Sequence, residues 1–212
     1  MQFTEFIKYI PKIQKQQLPA LAAHAKMAPA ERIQAQSLNY YKANNPKQAA
    51  VMMLIYPKEG NAHIVLMKRN TYPGVHSAQI SFPGGKAEPE DKSFADTALR
   101  ETREEIGVVE KEVDLVMPFS ELYIPPSNFI VYPYLGITVE EPLFVPDPIE
   151  VAEIIELPLE TVLDDSIIIH KEMTTSYANN IMVPAFQTSG YVIWGATAMI
   201  LSELKETIKN VL

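Results

Sequence analysis

The pattern of apolar and polar positions along the chain predicts several short strands separated by turns. Residues 49–56 form an unbroken apolar run with the length of a buried strand. Residues 58–61 read Lys-Glu-Gly-Asn, a turn sequence, and residues 63–68 return as a second strand, so these segments predict a β-hairpin. Further strands are predicted at residues 79–82, 113–117, 129–139, 151–156, 166–170 and 191–194.

Two helices are predicted near the start of the chain. An apolar stripe at helical spacing runs over residues 3–10, and Pro11 is expected to end or kink that helix. Residues 29–36 also have a helical pattern. We therefore expect a single domain over residues 1–212, in which 1–46 is a helical N-terminal extension packed on the rest.

A central and a C-terminal helix complete the predicted elements. Ser93 is a favourable N-cap for a helix through Ile106, and Gly107 is a typical C-terminal stop. Apolar residues recur at helical spacing over residues 200–212. Strands interspersed with a few helices predict an α+β fold class, with a mixed sheet between helical layers.

Composition removes several classes of protein. The absence of cysteine excludes disulfide scaffolds, thiolate metal sites and cysteine nucleophiles. The longest apolar run, residues 49–56, is far shorter than the ~20 residues of a membrane span, and the N-terminus lacks a signal-peptide pattern. We therefore predict a cytoplasmic protein without a membrane partner. The net charge of −8 argues against nucleic-acid binding.

Charge is concentrated in two segments of opposite sign. Residues 1–48 carry seven basic and two acidic side chains, whereas residues 88–112 carry nine acidic and four basic ones. Within the second segment, Glu101 and Glu105 are an i,i+4 pair at the edge of the apolar face of the central helix, with Glu104 beside them. Converging carboxylates suit a hard divalent cation.

A second interpretation of these glutamates stays open on the residues alone. Arg100 and Arg103 lie on the same helix and could neutralise the glutamates on a solvent-facing surface. The preceding Gly84 and Gly85 favour the first interpretation, because a diglycine turn exposes backbone groups that can approach an anion or a metal closely.

Residues 85–108 resemble the Nudix box, the loop–helix–loop signature of Nudix hydrolases. The box is a glycine, five residues, a glutamate, seven residues, and then Arg-Glu-apolar-x-Glu-Glu-x-Gly-apolar. Residues 100–108 read Arg-Glu-Thr-Arg-Glu-Glu-Ile-Gly-Val, which departs only at Thr102. In the first half, Asp91 replaces the glutamate, and eight residues separate it from Arg100.

The aspartate at position 91 and the one extra residue after it resemble the loop of a Nudix subfamily that hydrolyses coenzyme A. That subfamily has a second motif, roughly Leu-Leu-x-x-Arg-Ser-x-x-Leu-x-x-His-x-Gly-Gln-Ile-Ser-Phe-Pro-Gly-Gly. Residues 65–85 match its arginine (Arg69), its histidine (His76) and its tail from Gln79. The chain departs from the motif at Asn70, Pro73 and Ala78. With weaker similarity at residues 150–159 and 193–198, the resemblance covers roughly residues 47–205.

The resemblance implies a Nudix α/β/α sandwich that hydrolyses a diphosphate. Coenzyme A or a thioester would be split into 4′-phosphopantetheine and adenosine 3′,5′-bisphosphate, with Mg²⁺ or Mn²⁺ as cofactor. Glu101 and Glu105 would hold the metal, Glu104 would support them, and Arg100 would orient the glutamates. The implied substrate-binding residues are Arg69, His76, Gln79, Gly84 and Gly85. The general base stays open among Glu101, Glu104, Glu150 and Glu153.

Two alternatives remain for the function. The first is a Nudix hydrolase for ADP-ribose, a nucleotide sugar or another nucleoside diphosphate derivative, because the departures at Asn70, Pro73 and Ala78 could alter substrate contacts. The second is a non-catalytic nucleotide-binding Nudix module, which the three retained glutamates disfavour. The expected partner is a small nucleotide of the coenzyme A type, and a homodimer stays open.

Overall fold

The computed structural model describes residues 1–29, 45–71, 79–173, 181–188 and 190–212. Its helices are α1 (Phe3–Ile13), α2 (Ala20–Lys26), α3 (Phe94–Ile106), α4 (Leu159–Leu163) and α5 (Gly195–Lys209), with short 3-10 helices at Glu110–Glu112 and Pro125–Ser127. Its strands are β1 (Lys47–Lys58), β2 (Asn61–Arg69), β3 (Ile80–Ser81), β4 (Gly84–Lys86), β5 (Asp114–Pro118), β6 (Leu122–Ile124), β7 (Phe129–Ile137), β8 (Val151–Pro158), β9 (Ile168–Met173), β10 (Ile181–Thr188) and β11 (Tyr191–Trp194). No helix in these ranges is long and apolar enough to cross a membrane.

Strands β1 to β8 form one mixed sheet within the described residues. The order across the sheet is β3-β2-β1-β7-β5, while β4 pairs with β1, β6 with β7, and β8 with β2. Strands β1 and β7 run parallel, and the other pairs in this sheet are antiparallel. Strands β9, β10 and β11 form a separate antiparallel sheet.

Strands β1 and β2 separate away from their turn, and the candidate site lies where they separate. The two strands pair only near their turn, from Ile55↔Ile64 to Lys58↔Asn61. Further along, the same edge of β1 pairs with β4, and β2 pairs with β3. Strands β3 and β4 therefore fill the wedge between β1 and β2 and carry Gly84 and Gly85 into it.

Helices cover both faces of the mixed sheet because the strands alternate between two apolar faces. On β1, the side chains of Met52 and Leu54 cluster with Ala98 and Ile106 of α3. The intervening β1 residues belong to a second cluster that includes residues of α1 and α5. This arrangement of helix, sheet and helix is the expected α+β sandwich, and the fold class is confirmed.

The N-terminal helices pack into the second cluster. The side chains of Phe6 and Ile13 in α1 are fully buried there. Glu203 of α5, also fully buried, accepts hydrogen bonds from the backbone N–H of Ala20 at the start of α2 (3.0 Å) and from His24 Nε2 (3.2 Å). Burial alone would raise the pKa of Glu203, but its hydrogen bonds from His24 and Ser120 lower it. Helix α2 is thus fixed to the last helix by a buried polar cluster.

Several predicted elements differ in extent or kind from those observed. Helix α1 continues through Pro11 to Ile13, so Pro11 does not end it, and the predicted alternative of a kink stays a prediction. Proline has no backbone N–H to donate, but Pro11 lies in the last turn of α1, so the helix loses only one hydrogen bond there. Gly84 and Gly85, predicted as a turn, lie in strand β4. Helices α2 and α4 and strands β6 and β10 were not predicted. The helix predicted at 29–36 lies, apart from Pro29, outside the described residues.

Candidate active site

The helix that carries the glutamates, α3, has both of its predicted caps. The Ser93 side chain accepts a hydrogen bond from the Asp96 N–H at 3.2 Å. At the other end Gly107 adopts a left-handed conformation with φ 79°, and its N–H donates to the Arg103 carbonyl. A residue with a side chain would be strained at this φ, because a Cβ clashes there. The caps fix the register of the helix and therefore the face on which each glutamate lies.

Glu105 is the most buried carboxylate of the candidate site, with 2% of its surface exposed. Its Oε2 accepts a hydrogen bond from the Gly84 N–H at 2.7 Å, and its Oε1 lies 3.1 Å from Arg69 Nη1. The carboxylate therefore joins α3 to β4 and to the end of β2. Burial raises the pKa of Glu105 to about 8, because it outweighs the opposing effects of Arg69 and Gly84.

This raised pKa predicts a pH-dependent stability for the metal-free protein. A group with a raised folded-state pKa stabilises the fold fully below its unfolded-state pKa and loses that contribution as pH rises through the folded value. For Glu105 the window runs from about 4.5 to about 8. We expect the unfolding free energy of the parent to fall, relative to Glu105→Gln, across this window. Urea unfolding in EDTA measures it, and a constant difference between the two proteins would contradict the raised pKa.

Glu101 lies against the backbone of Gly85. A Cβ built at Gly85 would meet the Glu101 carboxylate, so only glycine leaves room for that carboxylate to lie on β4. Burial raises the pKa of Glu101, and Arg100 opposes this rise. Glu101 and Glu105 thus both reach the wedge strand β4 from α3. The structure therefore brings Glu101 and Glu105 together with Gly84 and Gly85.

Arg100 is held by Asp91, the residue that departs from the Nudix pattern. Its Nε lies 2.9 Å and its Nη2 3.0 Å from the two Asp91 oxygens, while its Nη1 donates to Glu101 at 2.9 Å and to Glu104 at 3.0 Å. The Arg100 hydrogen bonds hold the pKa of Asp91 far below its ordinary range. Asp91 also accepts from the Thr97 hydroxyl at 2.8 Å. Arg100 therefore has the geometry of an orienting residue.

Glu104 is more exposed than the other two glutamates. Half of its side chain is exposed, and its second oxygen lies 3.2 Å from Arg103. Glu104 therefore fits the interpretation in which arginines neutralise the glutamates at the surface, and Glu101 fits it in part. Glu105 is paired instead with an arginine from another strand. In this arrangement, and within the described ranges, no three acidic or histidine side chains are close enough together to hold an ion.

A turn after β7 brings a further carboxylate to the site. Glu150 Oε2 lies 3.4 Å from Arg69 Nη2, so the Arg69 guanidinium bridges Glu105 and Glu150. Asp147 N–H donates to the carbonyl of Glu105 at 2.9 Å, which satisfies an open acceptor at the end of α3. On the other side Asn70 Nδ2 donates to two carbonyls of the same turn. The turn thus connects α3 to the end of β2.

The remaining predicted site residues are placed less closely. The carbonyl of Gln79 accepts a hydrogen bond from the Arg69 N–H at 3.0 Å, which puts Gln79 beside the site. His76 lies outside the described residues. The roles of Asp91, Asn70 and Asp147 were not predicted. Only Asp91 and Asn70 gave a signal, since both are departures from the motifs.

The NUDIX domain family model matches residues 46–177 of this chain. The match covers more than half of the sequence and contains the glutamates and the wedge strand described above. The chain therefore belongs to the NUDIX domain family.

Individual relatives agree with this assignment. The chain is 36% identical over 162 residues to Nudix hydrolase 22, chloroplastic, from Arabidopsis thaliana, with 74% of this chain and 53% of the relative covered. It is 29% identical over 167 residues to the uncharacterized Nudix hydrolase NudL from Photorhabdus laumondii, with 79% and 88% covered. The chain thus spans about half the length of the plant relative. The fold is similar to that of the Nudix hydrolase RenU from M. smegmatis, with a TM-score of 0.54, 16% identity, and 79% and 88% of the two chains covered.

Proposed function

We propose that this chain is a metal-dependent hydrolase of a nucleoside diphosphate derivative, with coenzyme A or one of its thioesters as the preferred substrate. The observation that carries the proposal is the meeting of two buried or half-buried carboxylates, Glu101 and Glu105, on the glycine strand β4. Burial disfavours the charged forms of both carboxylates, and a bound divalent ion would offset this cost together with the paired Arg69 and Arg100.

The residues present fit Mg²⁺ or Mn²⁺. The donors are carboxylate oxygens, which both ions prefer, and Gly85 leaves open the space in which the Glu101 carboxylate lies. Glu101 and Glu105 would hold the ion, with Glu104 as a third ligand after release from its arginines. When bound, the ion neutralises charge on the diphosphate oxygens and makes the attacking water more acidic.

The chain's own residues supply orientation and proton removal. Arg100, fixed by Asp91, keeps the Glu101 carboxylate directed at β4. A water oxygen attacks one phosphorus, the bridging P–O bond breaks, and the proton of the water passes to a carboxylate base. Of the two candidates outside α3, Glu153 lies in strand β8 and not in a loop, and it accepts a hydrogen bond from the Tyr191 hydroxyl at 2.5 Å. Glu150 instead faces the site through Arg69. Glu150 is therefore the better candidate for the base.

The coenzyme A preference rests on the motif around the wedge strands. Arg69 and the segment Gln79–Gly85 match the motif, and the structure brings Arg69 and Gln79 together by a backbone hydrogen bond. The planar guanidinium of Arg69 suits a phosphate, which would replace Glu150 or Glu105 as its partner. His76 would contact the same substrate.

A panel of substrates tests this proposal. The protein is incubated with Mg²⁺ and, in turn, coenzyme A, its thioesters, dephospho-coenzyme A, ADP-ribose, NADH and nucleotide sugars, and products are separated chromatographically. We expect coenzyme A or a thioester to have the highest kcat/KM, and EDTA to abolish turnover. Faster turnover of ADP-ribose or a nucleotide sugar would favour the first alternative. Binding without turnover of any of these compounds would favour the non-catalytic module.

The proposal also includes the cellular location and the oligomeric state of the protein. A cytoplasmic location stays a prediction, and the Arabidopsis relative described above carries chloroplastic in its name. A homodimer also stays a prediction.

A further inference from the structure

Asn70 departs from the serine of the upstream motif, and its side chain makes two hydrogen bonds to one turn. Its Nδ2 donates to the carbonyl of Pro148 at 2.9 Å and to that of Ile149 at 2.8 Å. Both partners are acceptors, so the amide nitrogen must face them. A serine hydroxyl has a single proton and could serve only one of these carbonyls.

The turn that Asn70 holds carries Glu150, whose carboxylate lies beside Arg69. Within the turn, Asp147 Oδ1 accepts from the N–H of Ile149 at 2.6 Å and from that of Glu150 at 3.3 Å. Outside it, the turn is anchored to α3 through Asp147 N–H and to β2 through Asn70, whose backbone N–H also donates to the Glu150 carbonyl at 2.9 Å. The Asn70 side chain therefore closes the turn on the side of β2.

Removing the Asn70 amide would leave the carbonyls of Pro148 and Ile149 to solvent, because both hydrogen bonds lie at the exposed surface of the turn. The turn would then keep only its backbone contacts to α3 and β2, and residues 148–150 would be less firmly fixed. Half of the Glu150 side chain is exposed, so its position depends on this backbone and on Arg69.

We propose that Asn70 is a positioning residue, which holds the turn at residues 147–150 so that the Glu150 carboxylate stays beside Arg69 in reach of the reacting water. The inference rests on the proposed hydrolase function. Asn70 itself touches neither the glutamates of α3 nor, in this role, the substrate.

The test compares Asn70→Ala and Asn70→Ser with a matched control on the same loop. Thr138 Oγ1 donates to the Glu140 carbonyl at 2.8 Å at the far end of that loop, so Thr138→Val also removes a side-chain-to-backbone bond. A displacement of about 1 Å in a reacting group costs up to about a hundredfold. We expect Asn70→Ala to lower kcat about tenfold to a hundredfold with little change in KM, Asn70→Ser to recover part of it, and Thr138→Val to keep parental kcat.

Two further measurements separate positioning from general destabilisation. In Mg²⁺-free buffer, hydrogen exchange at the amides of Ile149 and Glu150 should be faster in Asn70→Ala and unchanged in Thr138→Val. In a double-mutant cycle, adding Asn70→Ala to Glu150→Gln should not lower kcat further. The positioning role would be overturned if the two substitutions lowered kcat independently, or if Asn70→Ala kept the parental kcat. A parent that hydrolyses none of the panel would instead overturn the proposed function.

Discussion

Replacing Glu105 or Glu101 with glutamine is expected to lower kcat by at least about a hundredfold, because a divalent ion supplies several kcal/mol of charge stabilisation and each 1.36 kcal/mol is tenfold. Glutamine keeps the shape of the side chain but removes the charge that the ion needs. In the metal-free protein the same change removes a buried acid whose pKa is raised. The melting temperature of metal-free Glu101→Gln should therefore be equal to that of the parent or slightly higher near neutral pH and above.

Glu110→Gln is the matched control for these variants. Glu110 belongs to the same acidic segment, but half of its side chain is exposed and its partner Arg103 lies 3.7 Å away. We expect it to keep parental turnover. Activity is measured on the preferred substrate, and unfolding is followed in EDTA. Near-parental activity in both Glu101→Gln and Glu105→Gln would exclude a catalytic metal at these residues.

Phe6→Ala is expected to cost about 3–5 kcal/mol of unfolding free energy, the usual range for a buried phenylalanine. Its ring is fully buried in the cluster shared by α1 and α5, and the ring of Phe3 lies 6.5 Å away between centroids. The cavity would lie behind the sheet, on the face opposite α3. The glutamates should therefore keep their arrangement in the molecules that stay folded.

The control for this loss is Leu21→Ala on the neighbouring helix α2. About half of the Leu21 side chain is exposed, so we expect a change within about 0.5 kcal/mol. Urea unfolding of both variants gives the comparison. A Phe6→Ala loss as small as that of Leu21→Ala would show that α1 is a dispensable extension, against our proposal that residues 1–46 belong to the same domain as the rest.

Local patterns predicted the elements whose determinants lie close together in the sequence. Ser93 and Gly107 identified the ends of α3 because caps act within a few residues. The apolar run in β1 and the hairpin with β2 were also recognisable, although the observed strands are longer. Those predictions needed no knowledge of distant residues.

The elements that were missed depend on distant partners. Gly84 and Gly85 have little strand propensity of their own, and they form β4 because β1 offers an unpaired edge beside them. Strand β10 contains Pro184, and proline is found mostly in edge strands, yet β10 is the central strand of its sheet. The charge pairing in the site is equally non-local, since Arg69 and Glu105 meet only after β2 and α3 have packed.

The parallel pairing of β1 with β7 and the attachment of α2 to α5 both join parts of the chain that are synthesised far apart in time. The ribosome synthesises α1 and α2 before α5, so the apolar face of α1 lacks one of its packing partners while the strands of the sheet are being synthesised. Loop closure over such separations also slows folding. The apolar face of α1 therefore completes its packing only after α5 has been synthesised.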